Sequence, residues 1–117
     1  MTESIMLKKS KAFALRIVRL YKYMRERKES VIAKQMLRSG TSIGANIAES
    51  RYAQSKSDFA SKLQIALKEA AETEYWLALL RDAELVEPGP ALDSICDDCT
   101  ELLRMLTASV KTAKADA

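Results

Sequence analysis

Residues 30–50 read SVIAKQMLRSGTSIGANIAES. Ile32, Met36, Ile43 and Ile47 recur at the three- and four-residue steps that place side chains on one face of an α-helix. Directly beside that apolar stripe runs a polar one. Gln35, Arg38, Ser42, Asn46 and Glu49 fall within about 80° on a wheel of ~100° per residue. Gly40 and Gly44 sit inside or next to the apolar stripe. A glycine in a helix costs about 1 kcal/mol relative to alanine, so the pair needs an offset. Close approach of a neighbouring backbone supplies one, helped by the small residues Ser39, Thr41, Ser42, Ala45 and Ala48. A loop break at Gly40 is the alternative.

The same periodicity extends outward along the chain. Before this stretch, Phe13, Ile17, Leu20, Tyr21 and Met24 share one helical face. Beyond it, Phe59, Leu63, Ala66, Ala70 and Leu77 do so, with Ser55 and Asp58 spaced as a capping box variant. The third helix carries a second apolar stripe, Ile65, Trp76 and Leu79, about 120–160° from the first. Val86-Glu87-Pro88-Gly89-Pro90 is the clearest loop. After it, Leu92, Ile95, Cys96, Cys99, Leu102, Leu103, Leu106 and Val110 keep the helical rhythm. No window alternates as a half-buried strand does. The spacing predicts helices over about 4–28, 30–50, 56–84 and 91–114, in one all-α domain spanning 1–117. With short links, these pack as an antiparallel up-down-up-down four-helix bundle.

The bulk numbers agree with that class. The chain has 117 residues, of which 48% are apolar and 30% charged, with only three Gly and two Pro. No run approaches the roughly 18–20 apolar residues that a membrane span needs. The first residues show no basic-then-apolar signal, so the expected location is the cytoplasm. The net charge of +3 hides an asymmetry. Residues 1–38 hold 11 Lys/Arg against 3 Asp/Glu, a net of +8, and the remainder carries −5. Lys8, Lys11, Arg19, Lys22 and Arg25 lie on the first helix opposite or beside its core stripe. They form the expected nucleic-acid-binding face. Leu15 and Val18 fall on that side too. With Trp76 and Leu79 they are apolar residues without a place in the core, and they form the expected oligomer interface.

The polar row of 30–50 has two readings. Carboxylates and an arginine in a groove can bind or protonate a ligand. Alternatively, Arg38, Ser42, Asn46, Glu49 and Glu72 form a buried structural network, with Arg38 paired to Glu49, Glu69 or Glu72, because buried charge requires a partner. The structural reading is favoured. The chain has no histidine and no phosphate loop or nucleophile–base motif. A small-molecule enzyme would need Glu49 or Glu72 in a deep pocket with a raised pKa. Cys96 and Cys99, three residues apart, lack the further ligands that a closed zinc site requires, and read as core residues. The expectation is therefore no enzyme, no cofactor and no metal.

The run Leu37-Arg-Ser-Gly-Thr-Ser-Ile-Gly-Ala-Asn-Ile-Ala-Glu49 resembles the signature of the 23S rRNA-intervening-sequence protein family of bacterial four-helix-bundle proteins. The likeness continues in Ser55–Phe59 and in Ile65–Leu77, covering the second and third helices. The resemblance implies a four-helix bundle that assembles into a homopentameric ring. It also places Arg38, Ser42, Asn46, Glu49 and Glu72 on the family's characteristic polar positions. Ser50 stands where many members have Gly, and Lys68-Glu69 where many have Gly-Ser. A similar bundle is the accessory protein of diversity-generating retroelements, a basic pentamer that works with a reverse transcriptase and RNA. The expected function is a non-enzymatic oligomer that binds RNA, DNA or a nucleic-acid-handling partner such as a reverse transcriptase. The alternative is a structural or adaptor oligomer with a protein partner.

Overall fold

The computed structural model describes residues 2–117, and Met1, where the expected domain begins, lies outside them. The described residues form four helices and no strand: α1 (Thr2–Glu26), α2 (Val31–Ser50), α3 (Lys56–Asp82) and α4 (Pro90–Asp116). This is an all-helical chain, consistent with a four-helix bundle.

α1 ends two residues before the periodicity predicts, and so does α3. Neither end has a glycine to mark it. Lys28 and Glu84 each take a left-handed φ, at 65° and 56°. Glu29 N–H donates to the Met24 carbonyl and Lys28 N–H to that of Arg25. Leu85 and Glu84 repeat the pattern on Leu80 and Arg81. These paired bonds satisfy carbonyls that a helix end leaves open. Leu85, packed against the core, anchors the second turn. At the other ends, Ser55 accepts from Asp58 N–H at 3.0 Å, and Asp58 accepts from Gln54 N–H. Pro90 opens α4, where its missing N–H costs nothing.

Each helix packs on its neighbours in the cycle α1–α2–α3–α4, while the α1–α3 and α2–α4 diagonals stay apart. The result is a rod of 45 × 21 × 20 Å. Along the α2–α3 seam, Arg38 meets Glu72, Ser39 meets Thr73, and Glu49 meets Lys62. From Ser39–Thr73 to Glu49–Lys62, ten residues on, the numbers rise on α2 as they fall on α3. The core is built from Phe13, Ile17 and Met24, from Met36, Ile43 and Ile47, from Leu63, Leu77 and Leu80, and from Leu102 and Leu106. Each such side chain contributes about 1.5–3 kcal/mol by leaving water. The expected stripes shift slightly. Ile32 and Phe59 are only half-buried, and Ala33 and Ala60 are buried instead, because small residues face the narrowest helix contacts.

α2 runs unbroken through both glycines, so the loop alternative does not hold. A Cβ at Gly40 would stand 2.9 Å from Ile17 Cγ2, and one at Gly44 3.2 Å from Ser10 Oγ. α1 therefore lies close against this face of α2. Ile17 is β-branched and cannot swing aside. Gly40→Ala, despite its better helix propensity, should destabilise the fold by about 1–3 kcal/mol. Gly44→Ala, where a serine hydroxyl is the neighbour, should cost less. Urea denaturation of the two variants checks the order.

Candidate nucleic-acid interface

α1 buries Met6, Phe13, Ile17, Leu20 and Met24. Helical geometry then points the opposite side away from the bundle, about 180° round. Lys8, Lys11, Arg19, Lys22 and Arg25 are all exposed there. The cations on the α4 flank behave differently. Lys9 reaches Glu101 at 2.9 Å, and Arg16 reaches Asp98 at 2.7 Å and Ser94 at 3.0 Å. These exposed pairs contribute little stability each, but they divide the positive charge of α1 into two sets. One set is matched to α4. Among the described residues, the outward five have no carboxylate within 4 Å. The Arg25 guanidinium lies over the Tyr21 ring at 5.7 Å, and Arg27 over Tyr23 at 3.7 Å.

Leu15 and Val18 are exposed in the middle of the basic strip, at 49% and 37%. The other two expected interface residues, Trp76 and Leu79, are half-buried on α3. α3 is diagonal to α1 and makes no backbone contact with it. The four residues thus form two patches on opposite helices of the rod, and the α1 patch coincides with the basic face. On α3, Tyr75 at 59% exposure enlarges the apolar patch, while Ile65 at 42% stands three turns away with Lys68, Glu69 and Glu72 between. Tyr75 meets Trp76 edge to face at 5.1 Å.

The polar row of α2 is not a buried core. Arg38 pairs in fork fashion with Glu69, at 3.1 and 3.2 Å, and also holds the Glu72 carboxylate. Trp76 Nε1 donates to that same carboxylate at 2.9 Å. The Arg38 side chain is nevertheless 51% exposed, and Glu69, at 16%, is more covered than Glu72, at 35%. Ser42 donates to the Arg38 carbonyl and Asn46 to that of Ser42, both within α2. Glu49 turns to Lys62 at 3.4 Å. So Arg38 and Glu72 come together, joined by Glu69 and Trp76, while Ser42, Asn46 and Glu49 stay outside the network. The reason is angular: the row lies at the lip of the α2–α3 seam, where long side chains reach across and water still enters. The buried polar contact is another one. The hydroxyls of Ser39 and Thr73, both fully buried, hydrogen-bond at 2.8 Å, and Thr73 also donates to the Glu69 carbonyl. The spacing Ala66-Ala70-Thr73-Leu77 places Thr73 on the core stripe and is the signal that finds it.

The electrostatics follow from these contacts. The Trp76 N–H, then Arg38, hold the Glu72 carboxyl below its usual range, and its two carboxylate partners raise Arg38 further. Burial pushes the Cys99 thiol up to about 12 and that of Cys96 upward as well. Neither is a thiolate near neutrality, and a nucleophilic role needs one. Among the described residues, no group of three His, Cys, Asp or Glu gathers to hold a metal, and no helix is long and apolar enough to cross a membrane. An open cleft of about 1200 Å³ lies at one end of the rod, lined by Met6, Phe59, Leu63, Arg51 and Lys56 among others. Neither Glu49 nor Glu72 reaches it.

Comparison with known proteins completes the picture. A family model described as 23S rRNA-intervening sequence protein matches residues 2–108. The chain is also similar to a crystal structure of a protein of unknown function from the S23 ribosomal protein family, from Bacteroides thetaiotaomicron VPI-5482. The two are 52% identical with a TM-score of 0.90, over 95% of this chain and 99% of that one. No curated protein matches.

A carboxyl whose folded pKa is depressed stabilises the fold above its ordinary pKa, and that stability is lost as pH falls through the folded value. Acid unfolding should therefore weaken the wild type increasingly from about pH 4.5 downward. Glu72→Gln should be less stable at pH 7 but lose less over that acid range. Chemical denaturation at stepped pH, followed by Trp76 fluorescence, measures the difference.

Proposed function

The chain belongs to the 23S rRNA-intervening sequence protein family, and on that premise we propose a non-enzymatic, self-associating protein that binds RNA through the outer face of α1. One observation carries the reading. Five cations stand exposed on one helical face, with Glu26 the one carboxylate among them and none in an ion pair among the described residues, while Lys9 and Arg16, one step round the helix, are matched by α4. A protein whose cations only solvate itself has no need to separate them in this way. Phosphates are the polyanion that such a strip fits. A nucleic-acid-handling protein such as a reverse transcriptase enters as a partner sharing that RNA.

The assembly belongs to the same proposal. The bundle runs up-down-up-down with antiparallel neighbours, supported by the opposed numbering along the α2–α3 seam. Self-association falls to the α3 patch of Tyr75, Trp76 and Leu79, because Leu15 and Val18 lie inside the phosphate-binding strip and cannot serve both uses in one protomer. A homopentameric ring, as the family resemblance implies, would repeat the strip five times, and repeated weak sites gain avidity. The exposed Leu15–Val18 pair is also what favours the second reading, an adaptor that binds a protein there.

Anisotropy titration against RNA from 50 to 200 mM salt tests the function. Phosphate binding predicts an affinity that falls steeply with salt, and Arg19→Glu with Lys22→Glu should flatten the slope by about two counterions. No binding at low salt, or a slope indifferent to that variant, would refute it. For the assembly, light scattering should show a multiple of 13.1 kDa that Trp76→Glu reduces. A wild-type monomer at micromolar concentration would rule the assembly out.

A further inference from the structure

The cations of the strip are not evenly spaced. Lys8 and Lys11 form one group, and Arg19, Lys22 and Arg25 the other. At about 1.5 Å per residue their centres lie about 19 Å apart along the helix. Between them the outward side chains are Ala12, Leu15 and Val18, all exposed and none able to donate or accept a hydrogen bond. A single strand presents one continuous row of phosphates, which an evenly spaced ladder of cations matches. A duplex presents two rows with a groove between them.

The uncharged centre also fixes what is read. Sequence is recognised by hydrogen bonds to base edges, and this centre offers none. Stacking on unpaired bases needs aromatic faces. The tyrosines of α1 itself, Tyr21 and Tyr23, are half-buried and already covered by Arg25 and Arg27. In A-form RNA the deep major groove is too narrow for side chains to read, whereas the minor groove is wide and shallow, floored by riboses and base edges. A helix with a smooth aliphatic middle and cationic ends suits that surface.

We propose that α1 lies across the minor groove of an A-form RNA duplex, with Lys8 and Lys11 on the phosphates of one strand and Arg19, Lys22 and Arg25 on those of the other, and reads no base sequence. This rests on the RNA-binding reading above and specifies its ligand class. Leu15 and Val18, one turn apart, rest on the ribose edges of the groove.

The test compares four probes at equal ionic strength: a 20-base-pair RNA duplex, one of its strands alone, a duplex of permuted sequence, and a DNA duplex of the same sequence. The RNA duplex should bind at least tenfold more tightly than the single strand and the DNA duplex, and the permuted duplex within threefold of it. Lys8→Glu with Lys11→Glu, and separately Arg19→Glu with Lys22→Glu, should each remove the duplex preference, with circular dichroism unchanged. Equal binding of single strand and duplex, equal binding of DNA, or a tenfold effect of permutation would overturn the duplex assignment and leave RNA binding standing. Failure to bind any probe at low salt would overturn both.

Discussion

The close approach of α1 to α2 at Gly40 and Gly44 governs much of the rest. With only hydrogen where a Cβ would stand 2.9 Å from Ile17, the two helices meet nearly backbone to side-chain base. That contact sets the rotation of α1 about its own axis. Once Ile17, Phe13 and Met24 are turned into the core, the five outward cations have one direction left to point. The helix-propensity cost of two glycines, about 1 kcal/mol each, is offset by the packing that their absence of side chain permits. The basic face is thus a consequence of core geometry as much as of charge.

α3 solves the opposite problem. Its core stripe is dominated by alanine and leucine, with Thr73 sharing a buried hydrogen bond with Ser39 of α2. A polar pair in an apolar seam favours one register, since sliding either helix by a turn would lose the hydroxyl–hydroxyl bond and face each hydroxyl with apolar side chains, even though each keeps a carbonyl of its own helix. The outer side of α3 carries an apolar patch at Tyr75, Trp76 and Leu79, and the Arg38–Glu69–Glu72–Trp76 network borders it. Trp76 gives its N–H to Glu72 and keeps its ring at the surface, the amphipathic arrangement common where aromatic side chains bury later against a partner. The network therefore holds the tryptophan in place at the edge of the patch and is not itself the core.

Charge is distributed with the same economy. α4 answers the flank of α1 with Asp98 and Glu101, which leaves the net charge of the chain small while one strip stays strongly positive. A protein of modest overall charge can in this way attract a polyanion locally, because fields at close range depend on the nearest few charges and salt screens the rest within about 10 Å.

The residues alone determined the four helices, the break at 86–89 before Pro90 opens α4, the capping at Ser55 and the outward cations of α1, because these depend on periodicity and on local backbone chemistry. They also required a carboxylate partner for Arg38 and left it open among Glu49, Glu69 and Glu72, since a charge beside an apolar stripe requires one; the fold supplies Glu69 and Glu72 together. Sequence periodicity overran the helix ends at Glu26 and Asp82 by two residues each, because the stops are made by Lys28 and Glu84, non-glycine residues in left-handed φ. Nor did it place the polar row correctly. An 80° offset from a core stripe becomes interior or lip depending on how closely the next helix packs, and that distance is set by side chains on two helices at once. The same holds for Leu15, Val18, Trp76 and Leu79. Each is recognisable as surplus apolar surface in sequence, yet only the diagonal placement of α1 and α3 shows that they form two separate faces, because which faces a helix has left over is decided by all its neighbours together.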